Sequence, residues 1–111
     1  MSKENTLAQI HAAQDTIIDA MADPTLTPIQ IKALQDASTK LRNMERSIVG
    51  LIGQNLINSL TTDSKALKNL AEKIDESAEQ LSGVAAAVKN AATVVEDFIK
   101  IISTAGAAGL L

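Results

Sequence analysis

The stretch LKNLAEKIDESAEQLSGVAAAVKNAATVVEDFIKII, residues 67–102, carries the strongest pattern in the chain. Leu67, Leu70, Ile74, Ser77, Leu81, Val84, Val88, Ala91, Val95, Phe98 and Ile102 follow one another at alternating steps of three and four. A 3.5-residue period sustained over this length predicts a left-handed coiled-coil seam. Ala71, Ala78, Ala85 and Ala92 run beside the seam at seven-residue intervals and leave room for a neighbouring helix to come close. Ser77 is the one polar residue in the seam, a type of position that can fix register at a cost in stability. The pattern predicts a single helix over about 64–104.

Two further helices precede it. Leu7, Ile10, Gln14, Ile17 and Met21 share one face of a helix over about 4–22. Asp23-Pro24 ends it, because a residue before proline is pushed out of the helical region. Thr27, Pro28 and Gln30 then form a start signal: an N-cap, a proline at the first helical position and a capping-box partner. The second helix is expected over about 28–60 on the spacing of Leu34, Ala37, Leu41, Met44, Ile48 and Leu51. Gly50 and Gly53 lie inside it and are read as tolerated glycines, a bend there being the less favoured reading. TTDS, residues 61–64, supplies the polar residues of a turn.

Together these readings predict an all-α chain of one domain over 1–111: an elongated antiparallel helical hairpin or coiled coil of two long helices. A shorter N-terminal helix packs on one end, and 105–111 forms a tail. At 1.5 Å per residue the two long helices would span about 50 and about 60 Å. Charge suits this order. The first helix region sums to −3, the second to +2 and the third to −2, within a total of −3.

Composition removes several function classes. Apolar residues make up 46% of the 111, enough for a core. Eighteen of them are alanine and Phe98 is the only aromatic residue. Without cysteine there is no disulfide, thiolate metal site or cysteine nucleophile. No basic run follows a phosphate backbone and almost no aromatic surface can stack on bases, so no nucleic-acid partner is expected. The N-terminus lacks an apolar signal region, and no stretch of about 18 apolar residues forms a conventional span. The expected location is cytoplasmic, or outside the cell by export without a cleavable signal.

Candidate chemistry is sparse. His11, Asp15 and Asp19 line up along one helix face at steps of four, opposite the apolar stripe. A metal site wants three or four converging ligands, so this line reads as a solvated face. Glu72, Asp75, Glu76 and Glu79, interleaved with Lys68 and Lys73, read the same way. No serine or threonine has a histidine partner placed to activate it. No catalytic, cofactor or metal residue is expected, and the chain is read as a non-enzyme.

Two uncharged stretches remain, SIVGLIGQNLINSL at 47–60 and the end of the chain from Phe98. Ile48, Val49, Leu51, Ile52, Leu56, Ile57 and Leu60 spread over more than one stripe, so one partner helix cannot cover them all. With Phe98, Ile102, Leu110 and Leu111 they are the expected association surface, Gly106 being the expected helix stop. The leading expectation is therefore a helical interaction protein, homo-oligomeric or bound to a partner helix. A membrane-active helical protein, such as a component of a pore-forming or leaderless secreted system, is the alternative. The helical-hairpin outline without cysteine resembles small secreted proteins of the WXG class and secretion-needle subunits. The likeness is architectural: TTDS stands where that class has Trp-x-Gly, and no residue role is carried over.

Overall fold

Thr27 and Gln30 close the capping box that their spacing predicts. Thr27 Oγ1 accepts from the Gln30 backbone N–H at 3.2 Å, and Gln30 Oε1 accepts from the Thr27 N–H at 2.9 Å. In the computed structural model, which describes the backbone of residues 3–107 and the side chains of 3–104, this cap opens the second of four α-helices. They are α1 (Lys3–Met21), α2 (Pro28–Gly50), α3 (Gly53–Ser77) and α4 (Ser82–Ala107). A short 3-10 turn, Glu79–Leu81, leads into α4. The described residues contain no strand.

The all-α reading holds, but the division into helices differs from that expected in two places. The second helix does not run to residue 60. It stops at Gly50, and Leu51 and Ile52 are both extended, with φ −112°, ψ 155° and φ −135°, ψ 164°. Gly53 then takes φ +60°, the left-handed region that a Cβ disfavours, and α3 sets off in the reverse direction. The bend at the glycine pair is thus the reading that applies.

The residues expected to turn, 61–64, lie instead in the middle of α3. Their hydroxyls bond back to their own helix. Thr61 Oγ1 donates to the Ile57 carbonyl at 2.7 Å, Thr62 Oγ1 to Asn58 at 3.1 Å and Ser64 Oγ to Thr61 at 3.1 Å. Polar side chains satisfied in this way have no need to cap a new helix.

The second difference is at Ala78, whose φ −166° and ψ 139° end α3 within the predicted seam. Leu81 N–H bonds to the Ala78 carbonyl at 3.0 Å and the 3-10 turn swings the chain round. The single helix over 64–104 is therefore two antiparallel helices. At the far end, α4 continues through Gly106 to Ala107, because a glycine costs a helix only about 1 kcal/mol relative to alanine. Residues 105–107 of the predicted tail are therefore helical, and the rest of it lies outside the described residues.

Helices α1 and α2, α2 and α3, α3 and α4, and α4 and α1 pack as neighbours, an up-down-up-down ring. The short connections place 22–27 and 78–81 at one end, where Gln80 Nε2 lies 3.5 Å from Asp23 Oδ2. The reversal at 51–52, the start of α1 and the end of α4 share the other. The bundle measures 50 × 20 × 18 Å. Its core is built from small and aliphatic side chains. Ile10, Ala13 and Ile17 come from α1, and Leu34, Ala37, Leu41, Met44 and Ile48 from α2. Helix α3 gives Leu56, Leu60, Leu67, Ala71 and Ile74, and α4 gives Val84, Ala85, Val88, Ala91, Ala92, Val95, Phe98 and Ile102. Of the eleven seam residues only Leu70, half-buried, and Ser77, exposed, are not buried. The period identified the inward face even though the chain reverses within it.

The two glycines at the reversal should respond to alanine with opposite signs. No atom lies within 4 Å of a Cβ built on either, so space does not distinguish them; only Gly53 has a positive φ. Gly53→Ala is expected to lower stability by about 1–2 kcal/mol. Gly50→Ala is expected to raise it by about 0.5–1 kcal/mol. Urea unfolding midpoints at unchanged slope measure both.

Candidate association surface

The reversal between α2 and α3 leaves large apolar side chains in water. Val49 is 69% exposed, Leu51 37% and Ile52 74%. Residues 47–62 carry no charge, and Ile101, on the last turns of α4, is 40% exposed at the same end. This end of the bundle is an apolar pole.

Of the residues expected to form the surface, the structure brings only some to it. Val49, Leu51 and Ile52 stand together at the pole. Ile48, Leu56 and Leu60 point the other way and are buried in the core, as are Phe98 and Ile102. Ile57 is half-buried against the core. The spread of apolar positions over 47–60 reflects a reversal, each half burying its own stripe, so most of that stretch is covered by the chain itself. Leu110 and Leu111 lie outside the described residues.

A second feature lies between α2 and α3 towards the opposite end. A groove of about 380 Å³ is lined by Ile29, Lys32, Ala33, Asp36, Leu70, Lys73, Glu76 and Ser77. Ala33 and Leu70 are half-buried, whereas Ile29 is 80% exposed. Sequence reasoning passed over Ile29. It sits off the Gln30–Leu34–Ala37 stripe directly after Pro28, and an isolated apolar residue there has no periodic signal. Leu70 was assigned to the seam, but Ala71 takes the buried place and leaves Leu70 at the groove.

Polar contacts tie neighbouring helices together. His11 Nε2 is 2.7 Å from Glu45 Oε1 across α1 and α2, Ser47 Oγ is 2.6 Å from Ser59 Oγ across α2 and α3, and Lys68 pairs with Glu96 across α3 and α4. His11 thus pairs with Glu45 on α2, while Asp15 and Asp19 stay exposed. Among the described residues no group of three or more histidine or carboxylate side chains is placed to hold a metal ion.

Two carboxyl groups have displaced titration. Thr25 donates to Asp23 Oδ1 from its hydroxyl at 2.7 Å and its backbone N–H at 2.9 Å, which holds the Asp23 carboxyl below its ordinary range. Asp63 is buried in α3. Burial pushes its carboxyl up, and the Lys40 ammonium 3.9 Å away pulls it only part of the way back. Asp23 lies at the end where α1 meets α2 and Asp63 in the middle of α3, so they do not form a carboxylate pair.

No protein-family model, no curated protein and no solved structure matches the chain. No helix among the described residues is long and apolar enough to cross a membrane.

Asp63 makes stability depend on pH in a definite direction. Its carboxyl binds a proton more tightly in the native chain than in the unfolded one. Its contribution to stability therefore falls as pH rises from the ordinary carboxylate range through the raised value. Asp63→Asn has no proton to lose. The variant should gain stability relative to the natural chain between about pH 4 and about pH 7. Urea unfolding of both proteins at the two pH values checks this.

Proposed function

We propose that this protein is a non-enzymatic helical association module that self-assembles through its apolar pole. The observation that carries the reading is the exposure of Val49, Leu51 and Ile52 together at one reversal. A water-facing turn needs no apolar side chains, and an apolar cluster left in water marks a contact surface. A second copy of the chain, or a partner helix, removes that surface from water at roughly 25 cal/mol per Å².

The uncharged turn also supports a second reading, that of a membrane-active helical protein. Its particular support is that no charge follows Lys100 on the helix that ends at the pole. On that reading the pole meets a lipid surface rather than another chain.

Substitution at the pole separates these readings from a purely structural role. Ile52→Glu, at an exposed position, should keep the helical circular dichroism signal and lower the mass in light scattering at tens of micromolar, where interfaces of moderate affinity are filled. Leu56→Glu places a charge in the core, where Leu56 is 4% exposed, and should lose helix content as well. A natural chain already monomeric at that concentration defeats self-assembly. If Ile52→Glu leaves the mass unchanged but lowers co-sedimentation with liposomes, the membrane reading takes its place.

A further inference from the structure

The proposal of self-assembly through the pole leaves open where on the next copy the pole docks. A closed two-fold contact would set pole against pole, using one surface twice. A heterologous contact would set the pole against a different surface and leave the pair with one unfilled surface of each kind.

Charge discriminates between these arrangements. The end of the bundle away from the pole comprises the nine residues of each helix nearest to it, 13–21, 28–36, 69–77 and 82–90, and the connections between them. It holds eight of the thirteen carboxylates against three lysines, Lys32, Lys73 and Lys89, a local charge of −5. The rest of the bundle has seven basic residues against five carboxylates, a charge of +2. The molecule is therefore polar along its 50 Å axis. Pole against pole sets the two positive halves side by side, whereas pole against the acidic end sets a charge of +2 against −5.

The acidic end also carries the apolar groove at Ile29, Ala33 and Leu70. Val49 follows Ala33 by sixteen residues on α2, about 24 Å of helix, so groove and pole cannot meet within one copy. The pole is a protruding turn without charge. The groove is a recess whose four charged lining residues, Lys32, Asp36, Lys73 and Glu76, sum to zero and so do not repel an uncharged insert.

We infer that copies associate head to tail: the Val49–Ile52 turn of one copy seats in the α2–α3 groove of the next. The inference rests on the self-assembly reading and adds its geometry. Each copy offers one turn and one groove at opposite ends, so the contact propagates as an open series of copies.

Mixing variants tests the geometry on the full chain. Ile52→Glu disables the turn and leaves the groove; Ile29→Glu, at an exposed groove position, disables the groove and leaves the turn. Ile18→Glu, 62% exposed on α1 and outside both surfaces, is the control. Light scattering should show the natural chain and the control growing beyond two copies as concentration rises. Either variant alone should associate at least tenfold more weakly. An equimolar mixture of the two should form a species of two chains and none larger, because one intact turn and one intact groove remain to meet. The inference is overturned if the natural chain stops at two copies, if Ile29→Glu behaves as the natural chain does, or if the mixture forms no complex. In those outcomes, a loss of mass confined to Ile52→Glu keeps the pole as the association surface and excludes only the groove. A natural chain that is monomeric throughout removes the self-assembly reading itself, and the inference with it.

Discussion

With Gly53 at φ +60°, the chain leaves α2 and returns antiparallel to it within two extended residues. The ring of four helices depends on that reversal. A continuous helix through 28–60 would carry Leu56 and Leu60 beyond the reach of α1, with too few neighbours to bury an uncharged stretch of this width. Turning at 51–52 lets Ile48 enter the core from α2, and Leu56 and Leu60 from α3. The reversal at Ala78 does the same for the other half of the chain. Each helix then has two neighbours, and a core almost without aromatic rings closes on aliphatic and alanine side chains. Ala71, Ala85, Ala91 and Ala92 are all buried, and their small size allows helices to approach where larger residues would hold them apart.

The burial of individual residues was far more legible in the sequence than the path of the chain. The inward face of 67–102 follows from a three-four period, and that period constrains which residues meet the core. It says nothing about the direction in which the backbone runs, because two antiparallel helices can bury the same set. The turns were harder to read for a chemical reason. Polar runs normally announce a turn, but in TTDS the hydroxyls donate to carbonyls one turn back and the helix passes through. At the true reversal the residues between the glycines are leucine and isoleucine, which carry no such announcement. The capping box at Thr27 was legible because its two hydrogen bonds are local and need nothing from the rest of the fold. The pole was visible as three residues within a longer apolar list; which members face water depends on the reversal. The groove depends on packing between α2 and α3 and left no mark on the period.

Polar groups inside the bundle follow the same economy of local satisfaction. Ser47 and Ser59 face each other across α2 and α3, and no buried side-chain nitrogen or oxygen among the described residues lacks a partner. Asp63 is the less comfortable case. Its partner Lys40 stands at 3.9 Å, beyond good hydrogen-bond distance, so the attraction offsets only part of the burial. A pair of this kind favours one registration of α2 against α3, since sliding either helix by a turn would separate the charges and leave Asp63 buried alone.

The exposed turn is different in kind from the exposed apolar residues found singly on most proteins. Ile52 is extended and largely in water, and its side chain contributes little to the core. A serine or asparagine there would make the same turn with less apolar surface exposed. The backbone requirement of the reversal falls on Gly53, not on Leu51 or Ile52. Folding therefore accounts for the glycine but not for its apolar neighbours. Burial against another surface, as the proposed association requires, would account for them and for the uncharged stretch that continues through the turn.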